Sequence, residues 1–91
     1  MTNPQPYNPK DFAQNPGKYE LFRTAWIAEK ISSSPELAVG QIVKIRYFAT
    51  RLNKVRGDVE MPIYQVWTDD NEDLKTSPVM LYACALEGFT L

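Results

Sequence analysis

The stretch that decides the fold is residues 36–50, which read ELAVGQIVKIRYFAT. From Gln41 onward, apolar and polar side chains alternate with the period of two that is typical of a half-buried strand. One face would hold Val43, Ile45, Tyr47 and Ala49, and the other Lys44, Arg46, Phe48 and Thr50. Gly40 marks the turn that leads into this segment. We therefore interpret it as the central strand of a small barrel.

The length and composition limit what such a chain can be. Its 91 residues, 44% apolar and 23% charged, are typical of one globular domain with a modest core. A single cysteine cannot form a disulfide within the chain, so packing must hold the fold. No window resembles a signal peptide or a membrane span, and we expect a cytoplasmic protein without a membrane partner.

The net charge of −1 hides an uneven distribution of charge. Residues 1–43 are balanced, residues 44–57 carry five cations and no acid, and residues 58–91 carry seven acids and one lysine. The basic and acidic segments follow one another directly, so in a hairpin they could face each other across strands. The alternative is that both are solvated surfaces, as most charge runs are.

The first 18 residues read as an extended, proline-rich N-terminal arm ahead of a single β-domain at 19–91. A short helical turn around residues 11–14 or 18–21 is compatible with this reading. An Asn-Pro pair, which favours a turn, occurs at residues 3–4, 8–9 and 15–16. The aromatic side chains of Tyr7 and Phe12 favour docking of the arm on the body, because disordered tails are poor in aromatic residues.

Residues 18–31, KYELFRTAWIAEKI, fit two templates. Phe22, Ala25 and Trp26 could lie on one helical face, but a strand that places Ala25 and Ile27 on the same side fits as well. We favour a strand over residues 22–31, because serines and a proline end the segment soon afterwards.

Two more strands are predicted in the second half of the chain. A break at residues 53–58, with Gly57 at positive φ, leads to a strand at 59–68, in which Pro62 indicates an edge or a bulge. A polar loop at 69–77 precedes a last strand at 79–86. That strand is apolar on both faces, as in a strand that is covered on both sides or lies in an interface. Short strands between turns predict a mainly β barrel or sandwich.

The segment PELAVGQIVKI at residues 35–45 resembles a stretch of Src-homology-three-like (SH3-like) barrels, where an acidic residue and a leucine precede a glycine turn and an apolar strand. Ala25, Trp26 and Ile27 stand where that family has its first strand. The resemblance implies a small SH3-like barrel of four to five antiparallel strands. It does not imply polyproline binding, because Trp67 has no paired tryptophan and Tyr82 has no neighbouring proline.

No catalytic or metal-binding constellation is apparent. The chain has no histidine, which removes Ser-His-Asp and Cys-His arrangements and most transition-metal sites. Cys84 lies in an apolar run and reads as a core residue. Asp69, Asn71 and Asp73 imitate the start of a calcium loop, but Leu74 and Met80 replace its glycine and glutamate. We expect neither an enzyme nor a cofactor.

The favoured function is therefore a small non-enzymatic module that covers a surface of another protein, as an accessory or inhibitor protein of a mobile element would. Charged segments would steer association and an aromatic side chain would anchor it. The predicted contact residues are Lys44, Arg46, Phe48, Arg51, Lys54, Arg56, Trp67, Asp69, Asp70 and Asp73.

Two alternatives remain open at this point. The segment 44–56 interleaves cations with Tyr47 and Phe48, so it could form the nucleic-acid-binding face of a barrel. A homodimer through an exposed strand edge beside residues 79–86 is also possible, because such an edge would readily pair with a second copy.

Overall fold

The computed structural model describes residues 7–91 and is mainly β. Its five strands are β1 (Thr24–Ile27), β2 (Ile42–Asn53), β3 (Val59–Trp67), β4 (Val79–Tyr82) and β5 (Leu86–Thr90). They form one antiparallel sheet in the order β4-β3-β2-β1-β5. The prediction of a small, mainly β domain with four to five antiparallel strands is confirmed.

The central strand is placed as its alternation predicts. Val43 and Ile45 are buried while Lys44 and Arg46 are exposed, and β2 pairs with β1 on one side and with β3 on the other. Phe48 lies at a bulge, where the β2–β3 register shifts, so it has no partner residue in β3. Pro62 pairs with Thr50 close to that bulge. Gly57 follows with φ of 85°, as expected for this turn.

The prediction of a strand within residues 22–31 is confirmed, although β1 covers only Thr24–Ile27. Ala25 and Ile27 are buried on the same side. The segment is shortened because Phe22 already ends a helix and because the amide of Ala28 donates to the carbonyl of Ala85, outside the β1–β2 ladder.

The predicted single strand at 79–86 is wrong. One 3₁₀ turn, Ala83–Ala85, divides this run into β4 and β5, which lie at opposite edges of the sheet. The sheet must therefore curve enough for this one short turn to connect its two edge strands. The apolar pattern hides the break because the small side chains of Ala83 and Ala85 are buried like those of a strand.

The prediction of an extended N-terminal arm is also wrong from residue 9 onward. Residues 9–21 form two short helices, α1 (Pro9–Gln14) and α2 (Pro16–Leu21). Asn8 caps α1 by accepting from the amides of Lys10 and Asp11, and a proline occupies the first turn of each helix. An Asn-Pro pair suits a helix start as well as a turn. The prediction for residues 1–6 lies outside the described residues.

The predicted docking of the arm is confirmed. Tyr7 and Phe12 pack against the core, next to Tyr19 of α2. The hydroxyl of buried Tyr64 donates to the carbonyl oxygen of Tyr19 over 2.7 Å, which joins the helices to the middle of β3. Burial raises the pKa of Tyr64, so this hydroxyl keeps its proton.

The polar loop at 69–77 contains a third helix, α3 (Glu72–Thr76). The side chain of Asn71 accepts from the amide of Leu74 and caps this helix, while Leu74 is buried. Asn71 is thus a helix cap, and this role explains why a polar residue stands between Asp69 and Asp73 in the segment that imitates a calcium loop.

Replacing Gly88 with alanine is expected to destabilise the domain. Gly88 has φ of 64°, and a Cβ at this position would overlap the indole ring of Trp26. Positive φ costs an L-residue about 1–2 kcal/mol and overpacking costs about 1–3 kcal/mol. Urea denaturation should therefore show a loss of about 2–5 kcal/mol in the free energy of unfolding.

Gly40→Ala is the matched control, because Gly40 has φ of 86° but open space around it. It should lose only the backbone cost of about 1–2 kcal/mol. Equal losses in the two variants would contradict the packing of Trp26 on Gly88.

Candidate partner-binding surface

The solvent side of β2, β3 and β4 carries four of the ten predicted contact residues. Residues opposite one another in an antiparallel ladder share a face. Lys44 lies opposite Trp67, Arg46 opposite Gln65 and Met80 beyond it, and Ile63 opposite Tyr82. We call this surface the outer face and define it by Lys44, Arg46, Arg51, Ile63, Gln65, Trp67, Met80 and Tyr82.

The outer face is apolar for a surface exposed to water. Met80 is 43% exposed, and Ile63, Trp67 and Tyr82 are half-buried. A solvated sheet face usually alternates with polar residues that point to water. Here, apolar and aromatic side chains lie next to one another across two strands, and such clusters mark interaction sites.

The three cations of the outer face differ in their side-chain partners. The Nε of Arg46 donates to Oε1 of Gln65 over 2.8 Å, and its guanidinium lies 5.9 Å from the ring centroid of Trp67. Lys44 forms an ion pair with Asp69, which lowers the pKa of that carboxyl. In the part of the chain that the structure describes, Arg51 has no ion-pair partner.

The structure separates the ten predicted contact residues into groups. Lys44, Arg46, Arg51 and Trp67 share the outer face. Phe48 is half-exposed at the β2 bulge, and bulges often redirect a side chain. Lys54 and Arg56 lie in the 3₁₀ turn after β2, whereas Asp69, Asp70 and Asp73 follow the other end of β3.

A groove of about 300 Å³ borders the outer face along β4. Met80 and Tyr82 belong to both surfaces, and the groove is completed by Ile31, Val55, Cys84 and the buried Asn53. The sequence did not single out Met80, Tyr82, Val55 or Asn53. The only signal in the sequence was that residues 79–86 are apolar on both faces. A strand that buries one face needs apolar residues on that face alone.

Asn53 is the buried polar residue that lines this groove. It is 5% exposed, and its Oδ1 accepts from the amides of Val55 and Arg56. Its Nδ2 donates only to sulfur, at 3.5 Å from Sδ of Met61 and 3.7 Å from Sγ of Cys84. Sulfur is a weak acceptor, so this amide keeps hydrogen-bonding capacity beside the groove.

An ion pair stands at the rim of the groove. The Nη2 of Arg56 lies 2.7 Å from Oε2 of Glu29, which joins the turn after β2 to the loop after β1. Both side chains are about half exposed, so the pair is screened by solvent and holds the two segments only loosely.

A second recess of about 340 Å³ lies at the opposite end of β3. It is lined by Thr24, Ile42, Lys44, Asp69 and Asp70, among others, and is more polar than the groove. The Lys44–Asp69 ion pair lies within it. Lys44 belongs both to this recess and to the outer face, so the acidic residues Asp69 and Asp70 lie next to the outer face.

Nothing in residues 7–91 gathers three or more potential metal ligands in one place. Within the same residues, no helix has the length and apolar character needed to cross a membrane. Comparisons of the chain with models of known families, with curated proteins and with solved structures found no match.

The thiol of Cys84 should react slowly in the folded protein. Burial raises its pKa, although the nearby Arg56 acts in the opposite direction, so less of the reactive thiolate is present near neutral pH. Alkylation by iodoacetamide at pH 8, followed by mass spectrometry, should be severalfold slower in buffer than in urea. Equal rates would show that the groove does not shield this side chain.

Proposed function

We propose that this domain is a non-enzymatic protein-binding module that contacts its partner through the outer face. The observation that carries the proposal is the cluster of Ile63, Trp67, Met80 and Tyr82 on a solvated sheet face. Trp67 also packs against the margin of the core, whereas Ile63, Met80 and Tyr82 are not part of the core cluster of the described residues, so core packing does not account for the apolar character of these three. Burial against another protein would remove them from water.

The arrangement of charge supports the same proposal. Protein interfaces typically have an apolar, aromatic centre and a polar rim, with tryptophan, tyrosine and arginine as frequent anchors. The outer face has the same residue types, with Ile63, Trp67, Met80 and Tyr82 on β3 and β4 and with Lys44, Arg46 and Arg51 on β2 along one side. The rim charges would govern the association rate and its salt dependence.

A module of this kind acts by covering a surface of its partner, as an accessory or inhibitor protein of a mobile element would. The curled five-stranded sheet supports the small barrel that the resemblance to SH3-like domains implies. In such a domain the interior is filled by side chains, which leaves the outside for recognition.

The proposal is tested by affinity capture from extracts of the source organism, with the partner identified by mass spectrometry. Arg46→Glu combined with Met80→Glu places two carboxylates on the outer face without touching the core. We expect this variant to bind the captured protein about tenfold more weakly or worse, because a desolvated charge at an interface centre costs more than 1.4 kcal/mol.

Leu21→Glu is the matched control for this variant. Leu21 is an exposed apolar residue in α2, away from the outer face. It should bind like the wild type. Equal capture by the outer-face variant and the wild type would contradict the proposal.

A nucleic-acid-binding role is the second candidate, because Arg46, Arg51 and Lys54 form no ion pair within residues 7–91. Single- and double-stranded oligonucleotides should be titrated at about 50 and 200 mM salt, where phosphate contacts would weaken binding steeply. We expect no salt-dependent binding. Binding that Arg51→Glu with Lys54→Glu abolishes would favour nucleic acid over a protein partner.

A further inference from the structure

The guanidinium of Arg46 is held on the outer face by two neighbours. Its Nε donates to Oε1 of Gln65 over 2.8 Å, and its Cζ lies 5.9 Å from the centroid of the Trp67 ring. Gln65 lies directly opposite Arg46 in the β2–β3 ladder, so both side chains belong to the same paired part of the sheet. An arginine that is held in this way loses less side-chain entropy on binding a ligand than a freely rotating one.

The outward end of this guanidinium has no partner within residues 7–91. Only its Nε is engaged, because the two Nη groups form neither an ion pair nor a hydrogen bond among these residues. Two Nη groups side by side match the two oxygens of a carboxylate and can bind them with two parallel hydrogen bonds. Arg46 therefore presents donors that suit one carboxylate.

The outer face contains no acid that could occupy Arg46. Its charged members are Lys44, Arg46 and Arg51. The acids beside it, Asp69 and Asp70, line the recess at Lys44, and Asp69 is already paired with that lysine. Neither acid forms an ion pair with Arg46. A carboxylate from another molecule would therefore complement this part of the surface.

Apolar side chains lie next to Arg46. The Trp67 ring lies beneath its guanidinium, and Met80 lies beyond Gln65 on β4 and is 43% exposed. An acid bound to Arg46 would place its own neighbouring residues on this apolar surface. Their contact would exclude water from the charged hydrogen bonds and strengthen them. The surface thus favours an acid with apolar neighbours over an isolated anion.

We propose that the outer face binds an acidic side chain of the partner protein through the Nη groups of Arg46. Apolar residues next to that acid would pack on Trp67 and Met80. The inference rests on the proposed protein-binding function and names the chemistry of the partner. A terminal carboxylate is captured by free main-chain amides, which the paired ladder of Arg46 and Gln65 does not offer on its face. The acid is therefore an aspartate or glutamate side chain.

Two other occupants fit this surface less well. A second copy would bring an outer face with three cations and no acid, so like charges would meet if the two faces packed together. A single-stranded nucleic acid binds by stacking its bases on open aromatic rings as well as through its phosphates. The Trp67 ring already has Arg46 over it, and the side chains of Ile63 and Met80 have no donor for a phosphate.

The first probe is a displayed library of random short peptides, selected on the wild-type domain. We expect the selected peptides to be enriched in aspartate or glutamate next to leucine or an aromatic residue. Selection on Arg46→Gln should lose the acidic enrichment and keep the apolar one, because glutamine has no charge and no paired Nη donors.

Arg51→Gln is the matched control for this selection. Arg51 belongs to the same face and also lacks an ion pair within residues 7–91, but no side chain among them holds its guanidinium. Selection on this variant should keep the acidic enrichment. The amide spectra of both ¹⁵N-labelled variants should show the wild-type fold.

The tightest-binding acidic peptide then serves as the second probe, in a double-mutant cycle. Replacing its acid with the matching amide should weaken binding to the wild type about tenfold, and binding to Arg46→Gln by less than about twofold. Arg46→Lys should bind the acidic peptide severalfold more weakly than the wild type, because an ammonium lacks the planar pair of donors. Gln65→Leu leaves the charge of Arg46 but removes its holder, so the same cycle should show a smaller effect of the acid.

Four outcomes would overturn the inference. Peptides without acidic enrichment, or with equal enrichment on Arg46→Gln, would leave the outer face as an apolar protein-binding surface that does not recognise an acid. Displacement of the acidic peptide by a single-stranded oligonucleotide at about 150 mM salt would assign Arg46 to phosphate. A dimer in sedimentation that Arg46→Gln dissociates would assign the acid to a second copy. Selection of no peptide would reject the inference, whereas the protein-binding function is judged separately by affinity capture.

Discussion

Burial of one face of β2 is the constraint on which the rest of the structure depends. Val43 and Ile45 are essentially inaccessible to water, while the cations between and after them are exposed. A slip of one residue would turn Lys44 and Arg46 into the core, at a cost of several kcal/mol for each unpaired buried charge. The register of β2 with both β1 and β3 is thereby fixed, and with it the composition of the outer face.

The core of so short a chain needs more than one sheet can supply. The helices α1 and α2 provide it by adding Phe12 and Tyr19 to an aromatic cluster that includes Tyr64 and Phe89. Edge-to-face ring contacts contribute about 0.5–1.5 kcal/mol each beyond the area they bury. The Tyr64 hydroxyl, bonded to the main chain of Tyr19, sets where the helices sit. The N-terminal segment is therefore part of the domain core.

The strands in which apolar and polar side chains alternate were predicted correctly from the sequence. The prediction of a strand or an extended arm failed where a 3₁₀ turn or a helix buries the same residues. Strands β1, β2 and β3 and the placement of Lys44, Arg46 and Trp67 followed from a period of two. The break at Ala83 could not be predicted, because small apolar residues are buried equally in a strand or a 3₁₀ turn. Asn-Pro pairs begin helices and turns alike, since both use the same cap and the same φ. Asn53 and Tyr82 were missed because their surroundings form only when the sheet curls.

The apolar run at residues 79–86 contributes to the core, to the outer face and to the groove along β4. Leu81, Ala83 and Leu86 must be apolar because they fill the core. Met80 and Tyr82 lie between them and point outward, so the core does not account for their character. Met80 and Tyr82 are also the side chains that the outer face and the β4 groove share.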